Sequence, residues 1–253
     1  IDEVSAFTNI AHMCVYDGGE SIAPRLAAFS QAGVSALLHV EALLFEHRPD
    51  PTIPSGTHVT LRADAQAQWE MFVTLNRDVL TPEYVAVIYP VDEPVWNGVS
   101  YADFAEALRL VKTSLPDIPI LSIEAYPVVD QIMVPETLDW IGFDQYDTRD
   151  PANDPLWLAN LETVSNARTR PEQRLVIVAS TQWLPYYQSE GGVYPEDMEE
   201  IAYSYYHIAA YYPDVIALVG YLWPGGLDDA DHLGARNLPD SVQQALREIG
   251  SQI

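Results

Sequence analysis

The sequence predicts an α/β chain of the (β/α)8 TIM-barrel class, and three observations carry that prediction. Short apolar runs alternate with helical patterns from end to end, which is how successive parallel βα units read. The 253 residues are 48% hydrophobic, enough for one large core at a length where such barrels form one domain. No glycine-rich phosphate turn follows the first strand, which removes the commonest nucleotide site of the competing open, doubly wound sheet. A single domain over 1–253 is expected, because no linker, internal repeat or low-complexity segment interrupts the alternation.

Strands are expected at 4–12, 35–43, 85–91, 118–125, 138–146, 175–181 and 215–223. Helices are expected between them at 21–32, 64–80, 101–115, 155–168 and 196–212, with a last one at 241–249. Ser21 and Ser100 stand where N-caps belong, and Gly33 and Pro116 where the helices they open should stop. Seven strands are read where a closed barrel has eight. The eighth is hidden in the loop 45–62, or lies at a terminus, or the barrel is one strand short. The long loops 46–62 and 184–195 follow strand C-termini, the face on which barrel enzymes build their sites.

Thirty-seven acidic residues against twelve basic ones give a formal charge of −25. Such a surface repels nucleic acid and anionic membranes, so neither is expected as a partner. No apolar run reaches eighteen residues, since the richest stretch is interrupted by His39 and Glu41. The chain begins at Ile1 rather than Met, as after removal of a leader or trimming, and a secreted or periplasmic monomer is the expectation. Cys14 is the one cysteine. It forms no internal disulfide, and with no base partner evident from the sequence it reads as a small buried apolar residue.

Residues two apart on a strand face the same side, so a polar pair at that spacing near a strand's C-terminal end points into one space. His39 with Glu41, Glu124 with Tyr126, Asp144 with Tyr146 and Tyr221 with Trp223 all show this spacing. Asp92 with Glu93 and Gln182 with Trp183 add two adjacent pairs. Six such pairs in succession predict one pocket at the barrel's catalytic end. Cleavage of a glycosidic bond takes two carboxyl groups. Indole and phenol rings supply flat faces for sugars, and Trp96, Tyr126, Tyr146, Trp183, Trp223 and the pair Tyr186 and Tyr187 are candidates. Trp69 and Trp140 read instead as core.

The segment Val87-Ile88-Tyr89-Pro90-Val91-Asp92-Glu93-Pro94 resembles the fourth strand of retaining glycoside hydrolases of the large (β/α)8 clan, where Asn-Glu-Pro carries the acid/base. The resemblance implies that role for Glu93. Residues Asp139 to Tyr146 resemble the sixth strand of that clan, with its substrate-binding tyrosine, and Gly220-Tyr221-Leu222-Trp223 the eighth, with its subsite tryptophan. In this register the missing strand is the clan's first. Two departures stand out. Gln182 occupies the place of the nucleophilic glutamate, and Asp92 replaces the asparagine. The resulting Asp-Glu pair is similar to that of hexosaminidases, in which the substrate's own acetamido group attacks and the Asp orients it. Alternatively Glu124 or Asp144 is the second carboxylate, as a displaced nucleophile or as the base of an inverting reaction.

The leading expectation is therefore a glycoside hydrolase acting on an oligo- or polysaccharide. Glu93, Asp92, Asp144 and Glu124 are its catalytic candidates, and His39, Glu41, Trp96, Tyr126, Tyr146, Gln182, Trp183, Tyr221 and Trp223 its binding candidates, with no metal or cofactor. A noncatalytic sugar-binding barrel is one alternative, motivated by Gln182. A metal-dependent barrel hydrolase or isomerase with ligands among His12, His39, Glu41, Glu124 and Asp144 is the other, although no His-x-His or His-Glu-x-x-His occurs.

Overall fold

The computed structural model describes residues 1–189, 192–227 and 230–252, the side chain of Tyr187 excepted. Contacts group them into two compact units, Ile1–Ile141 with Ala167–Gln173, and Gly142–Asn166 with Arg174–Ile253.

The first unit starts with a series of turns, since Val4 and Ser5 donate to the Ile1 carbonyl and Phe7 to that of Val4. The first strand is therefore later than the hydropathy suggests: β1 is Ile10–Cys14 rather than 4–12. Helix α1 (Ala23–Gln31) follows. Ser21 does not cap it. The N-cap is Ile22, which makes no side-chain cap bond, and its N–H is taken by Asn76 Oδ1 at 2.9 Å. Strand β2 (Ser35–His39) pairs in parallel with β1, Cys14 lying opposite His39.

The end of the strand expected over 35–43 is instead a short helix, α2 (Glu41–Leu44), with Glu41, Leu43 and Leu44 buried. The loop after it holds the hairpin β3 (Phe45–Pro49) and β4 (Thr57–Leu61), which is antiparallel and supplies no barrel strand. Helix α3 (Ala65–Asn76) buries Trp69 and Phe72, and the Trp69 indole donates to Ser114 Oγ at 3.1 Å. Strand β5 (Val85–Tyr89) pairs in parallel with β2. In helix α4 (Tyr101–Ser114), Ser100 is the N-cap, accepting from the Asp103 N–H at 3.1 Å.

A parallel bridge between Ile88 and Ile120 leads from β5 to β6 (Leu121–Ala125). Strand β7 (Trp140–Asp144) begins beside Ile120. It is anchored by Asp139, which accepts the Ile120 N–H and pairs with Lys112 at 2.7 Å and Arg170 at 2.6 Å. Trp140 is half-buried, less enclosed than a core residue.

The second unit takes up the end of β7 and adds helix α5 (Pro155–Asn166), strand β8 (Arg174–Ser180), helix α6 (Met198–Tyr211), strand β9 (Val215–Tyr221) and helix α7 (Asp240–Gly250). Strands β8 and β9 are parallel. In its core the Trp157 ring meets Phe143 tilted at 5.1 Å and Tyr205 edge-on at 5.8 Å. In the loop 184–195, residues 190 and 191 lie outside the described residues. Apart from the hairpin, seven strands are seen among the described residues.

Gly142 in β7 allows the close approach of β8, because a Cβ built there would stand 2.8 Å from the Val176 carbonyl oxygen. Backbone cannot yield as a side-chain tip can. Gly142→Ala is expected to lower stability by about 1–3 kcal/mol, the usual cost of overpacking, read as a reduced urea midpoint with an unchanged m-value.

Candidate functional site

The site in the first unit grows from the ends of β1 and β2. Alternation places His12 and Cys14 on the same side of β1, and the β1–β2 register sets His39 beside Cys14. The Cys14 Sγ lies 3.8 Å from His12 Nδ1, and His12 Nε2 lies 3.1 Å from His39 Nδ1. The other nitrogen of His39 meets Glu41 Oε2 at 2.9 Å. Glu41 thus reaches its sequence neighbour from the first turn of α2, not from the strand that the spacing predicts. Its Oε1 meets His47 Nε2 of the hairpin at 2.5 Å, and its Oε2 also accepts the Asp92 N–H at 2.9 Å.

That last bond ties the cluster to the turn after β5. Tyr89 hydroxyl donates to Asp92 Oδ1. Asn97 closes the turn, its N–H bonding the Glu93 carbonyl at 2.9 Å and its side chain that of Asp92 at 2.9 Å. Glu93 has φ 38°, the one non-glycine residue in the left-handed region among those described. A side chain held there is strained, and such strain concentrates at functional sites. Beneath the turn Glu124 is fully buried and accepts three backbone N–H groups, from Val95 at 2.8 Å, Trp96 at 3.1 Å and Ala125 at 3.1 Å. A cavity of about 790 Å³ opens above, lined by Cys14, Tyr16, His39, Glu41, His47, Asp92, Glu93 and Trp96 among others. That volume suits a small ligand. Glu124 and Tyr126 are not among its lining residues.

The electrostatics follow from these partners. Glu41 would be raised by burial, but His39 and His47 hold it down at about 2, so it stays ionised. His39 would be lowered by burial, but Cys14 and Glu41 outweigh that and lift it to about 9. The hydrogen bonds of His12 and then His39 lower Cys14 to about 5. Cys14 is therefore not the inert apolar residue that its isolation in the sequence suggests, because the fold provides the base partner. Asp92 is exposed to the cavity yet backed by packed protein, and the loss of hydration raises its carboxyl, with Tyr89 opposing and Glu41 adding to the rise.

In the second unit, Tyr146 hydroxyl donates to Asp144 Oδ2 at 3.2 Å, and the Tyr146 ring stacks on Tyr221 at 5.5 Å. Gln182 is buried, and among the described residues its Oε1 has no hydrogen-bond partner. The Trp183 indole is pinned to the Val193 carbonyl at 3.0 Å, and Trp223 accepts the Arg236 N–H at 3.1 Å through its own carbonyl. Tyr186 is exposed, and the Tyr187 side chain lies outside the described residues. Of the metal ligands considered from the sequence, His12 and His39 come together with Cys14, Glu41 stands behind His39, and Glu124 is occupied by backbone. The His-x-Cys spacing on β1 was the signal for Cys14; for His47 there was none.

No family model matches the chain, and no curated protein does. Solved structures do. A xylanase 10B from Thermotoga maritima covers 92% of this chain and 80% of its own at 14% identity, with a TM-score of 0.54. A GH113 β-mannanase from Alicyclobacillus acidocaldarius covers 100% and 93% at 12% identity and 0.60. A GH2 β-galacturonidase from Eisenbergiella tayi covers 98% of this chain at 10% identity and 0.64, while the chain spans only 45% of it. The chain has the TIM-barrel fold of these structures. Identities this low carry the fold and not the activity.

Glu124 yields a pH prediction. Burial raises its carboxyl from 4.5 to about 7 against the three N–H donors. The folded chain then keeps a proton that the unfolded chain has released, so this contribution is complete below 4.5 and is lost as pH rises through about 7. At 1.36 kcal/mol per unit the loss is about 3 kcal/mol. Urea titrations at several pH values should show this decline in the parent and not in Glu124→Gln. A constant difference between the two proteins across the window would refute it.

Proposed function

We propose that this chain is a glycoside hydrolase that acts on a 2-acetamido sugar in an oligo- or polysaccharide, with Glu93 as proton donor and Asp92 orienting the substrate's acetamido group. The observation that carries the reading is the strained, cavity-facing Glu93 with Asp92 beside it at the end of β5. Likeness to carbohydrate-cleaving barrels supports the class of chemistry.

The alternatives for a second carboxylate are weaker. Glu41 lines the cavity, but two imidazoles and a peptide N–H occupy its oxygens, and a carboxylate held at about 2 is a feeble base or nucleophile. Glu124 is engaged by three backbone donors. Asp144 is buried and accepts the Tyr146 hydroxyl. Substrate assistance needs neither an enzymic nucleophile nor a carboxylate at Gln182. In that scheme Glu93 protonates the glycosidic oxygen while the acetamido oxygen attacks the anomeric carbon, and the Asp92 carboxylate accepts the acetamido N–H. Water then opens the cyclic intermediate and gives its proton to Glu93. Tyr89 keeps Asp92 oriented through its hydroxyl, and Trp96 offers a flat face in the same cavity.

On aryl 2-acetamido-glycosides, Glu93→Gln is expected to lower kcat by about 10²–10⁴-fold, the usual worth of a general acid, with ligand binding retained by calorimetry. Asp92→Asn should lower kcat on the acetamido series. Wild-type turnover by Glu93→Gln sinks the assignment, and equal rates on acetamido and 2-hydroxy glycosides sink substrate assistance.

A further inference from the structure

The cluster at the ends of β1 and β2 has more ligand chemistry than glycoside hydrolysis uses. Side-chain donors of His12, Cys14 and His39 all lie within 4.8 Å of one another, the one His, Cys, Asp or Glu group of this kind among the described residues. We infer that His12, Cys14 and His39 form a binding site for one divalent cation of the zinc class, with a fourth position open to the cavity.

The donors suit such an ion. Two imidazoles and a thiolate are the borderline-to-soft set that zinc prefers, and three protein ligands with one open place is the arrangement of sites that hold a water or a substrate. A tetrahedral ion with Zn–N near 2.0–2.1 Å and Zn–S near 2.3 Å needs edges of roughly 3.3 Å between nitrogens and 3.6 Å between nitrogen and sulfur. The observed 3.1 Å between the two imidazoles and 3.8 Å from Cys14 to the His12 ring bracket these values. Because the sulfur faces Nδ1 of His12 while Nε2 faces His39, a rotation of the exposed His12 side chain has to bring one nitrogen toward the shared centre. That exposure also gives an ion its way in.

A second observation points the same way. His39 meets Glu41 through Nε2 and turns Nδ1 to the cluster. Glu41 is itself fixed by His47 and by the Asp92 N–H. A carboxylate behind the far nitrogen of a ligating imidazole fixes its tautomer and orientation, and this support is typical of metal sites. Two ring nitrogens facing each other at 3.1 Å also need a proton or a cation between them. Cys14 and His39 line the cavity that holds Asp92 and Glu93, so a water or a sugar hydroxyl from it is the expected fourth ligand.

The test uses the full chain and needs no sugar, so it can fail without touching the glycosidase reading, and that reading can fail without touching the site. Protein freed of metal with a chelator is titrated with cobalt(II) and with zinc(II). The inference expects one equivalent of zinc by elemental analysis after dialysis. It also expects a cobalt form with tetrahedral visible bands and a near-ultraviolet thiolate-to-cobalt transition that zinc displaces. Cys14→Ser should lose the charge-transfer band, and His39→Gln should weaken zinc binding at least tenfold, while Glu93→Gln should retain both signals. Circular dichroism checks that each variant is folded. Zinc far below one equivalent, or a cobalt spectrum of the parent without the thiolate transition, overturns the inference. So does a spectrum unchanged in Cys14→Ser.

Discussion

The Glu41 carboxylate is the constraint on which the candidate site depends. An ionised group taken out of water must be paired and hydrogen-bonded, and here three different segments meet that need. His39 comes from the end of β2, His47 from the hairpin, and the Asp92 N–H from the turn after β5. Because one carboxylate draws on all three, their positions relative to one another are set together. The cavity wall is built from those same segments. Removing His39 or His47 would take one of its two cationic partners from a buried carboxylate.

Glu124 does the corresponding work from below. Its oxygens collect the N–H groups at the start of the Pro94–Asn97 stretch, where no secondary structure satisfies them. An irregular turn inside a protein otherwise carries unpaired donors, at a cost comparable to a lost hydrogen bond each. With those donors satisfied, the turn can hold Glu93 at a backbone conformation that a glutamate rarely adopts. The two buried carboxylates thus differ in kind. Cationic imidazoles keep Glu41 ionised, whereas Glu124 has only neutral donors and takes up a proton near neutrality.

The histidine and cysteine cluster beside Glu41 shows how a strand register makes chemistry. Neither His12 nor His39 is unusual alone, and a single cysteine is ordinarily inert packing. Parallel pairing with Cys14 opposite His39 turns them into one group, and the polarity of that group reaches Asp92 through a single carboxylate.

The sequence by itself determined the alternation of strands and helices and the Ser100 cap, and it singled out the Asp92–Glu93 pair as catalytic candidates, because these rest on local periodicity and on residues adjacent in the chain. It also gave His39, Glu41 and Trp96 as binding candidates of one pocket with that pair, and these three do line the cavity beside it. It misplaced β1 and read α2 as strand, because a short apolar run has no period by which helix and strand can be told apart. It offered Glu124 as one alternative for the second carboxylate, since a carboxylate at a strand end looks the same whether it faces a cavity or three backbone donors. Cys14 and His47 were decided only by tertiary structure. Besides His12 two residues before it, Cys14 has His39 of β2 as a partner 25 residues on, and His47 has Glu41 of α2 6 residues back, and a protonation state set by such contacts exists only once the register of β1 on β2 and the fold of the hairpin are fixed.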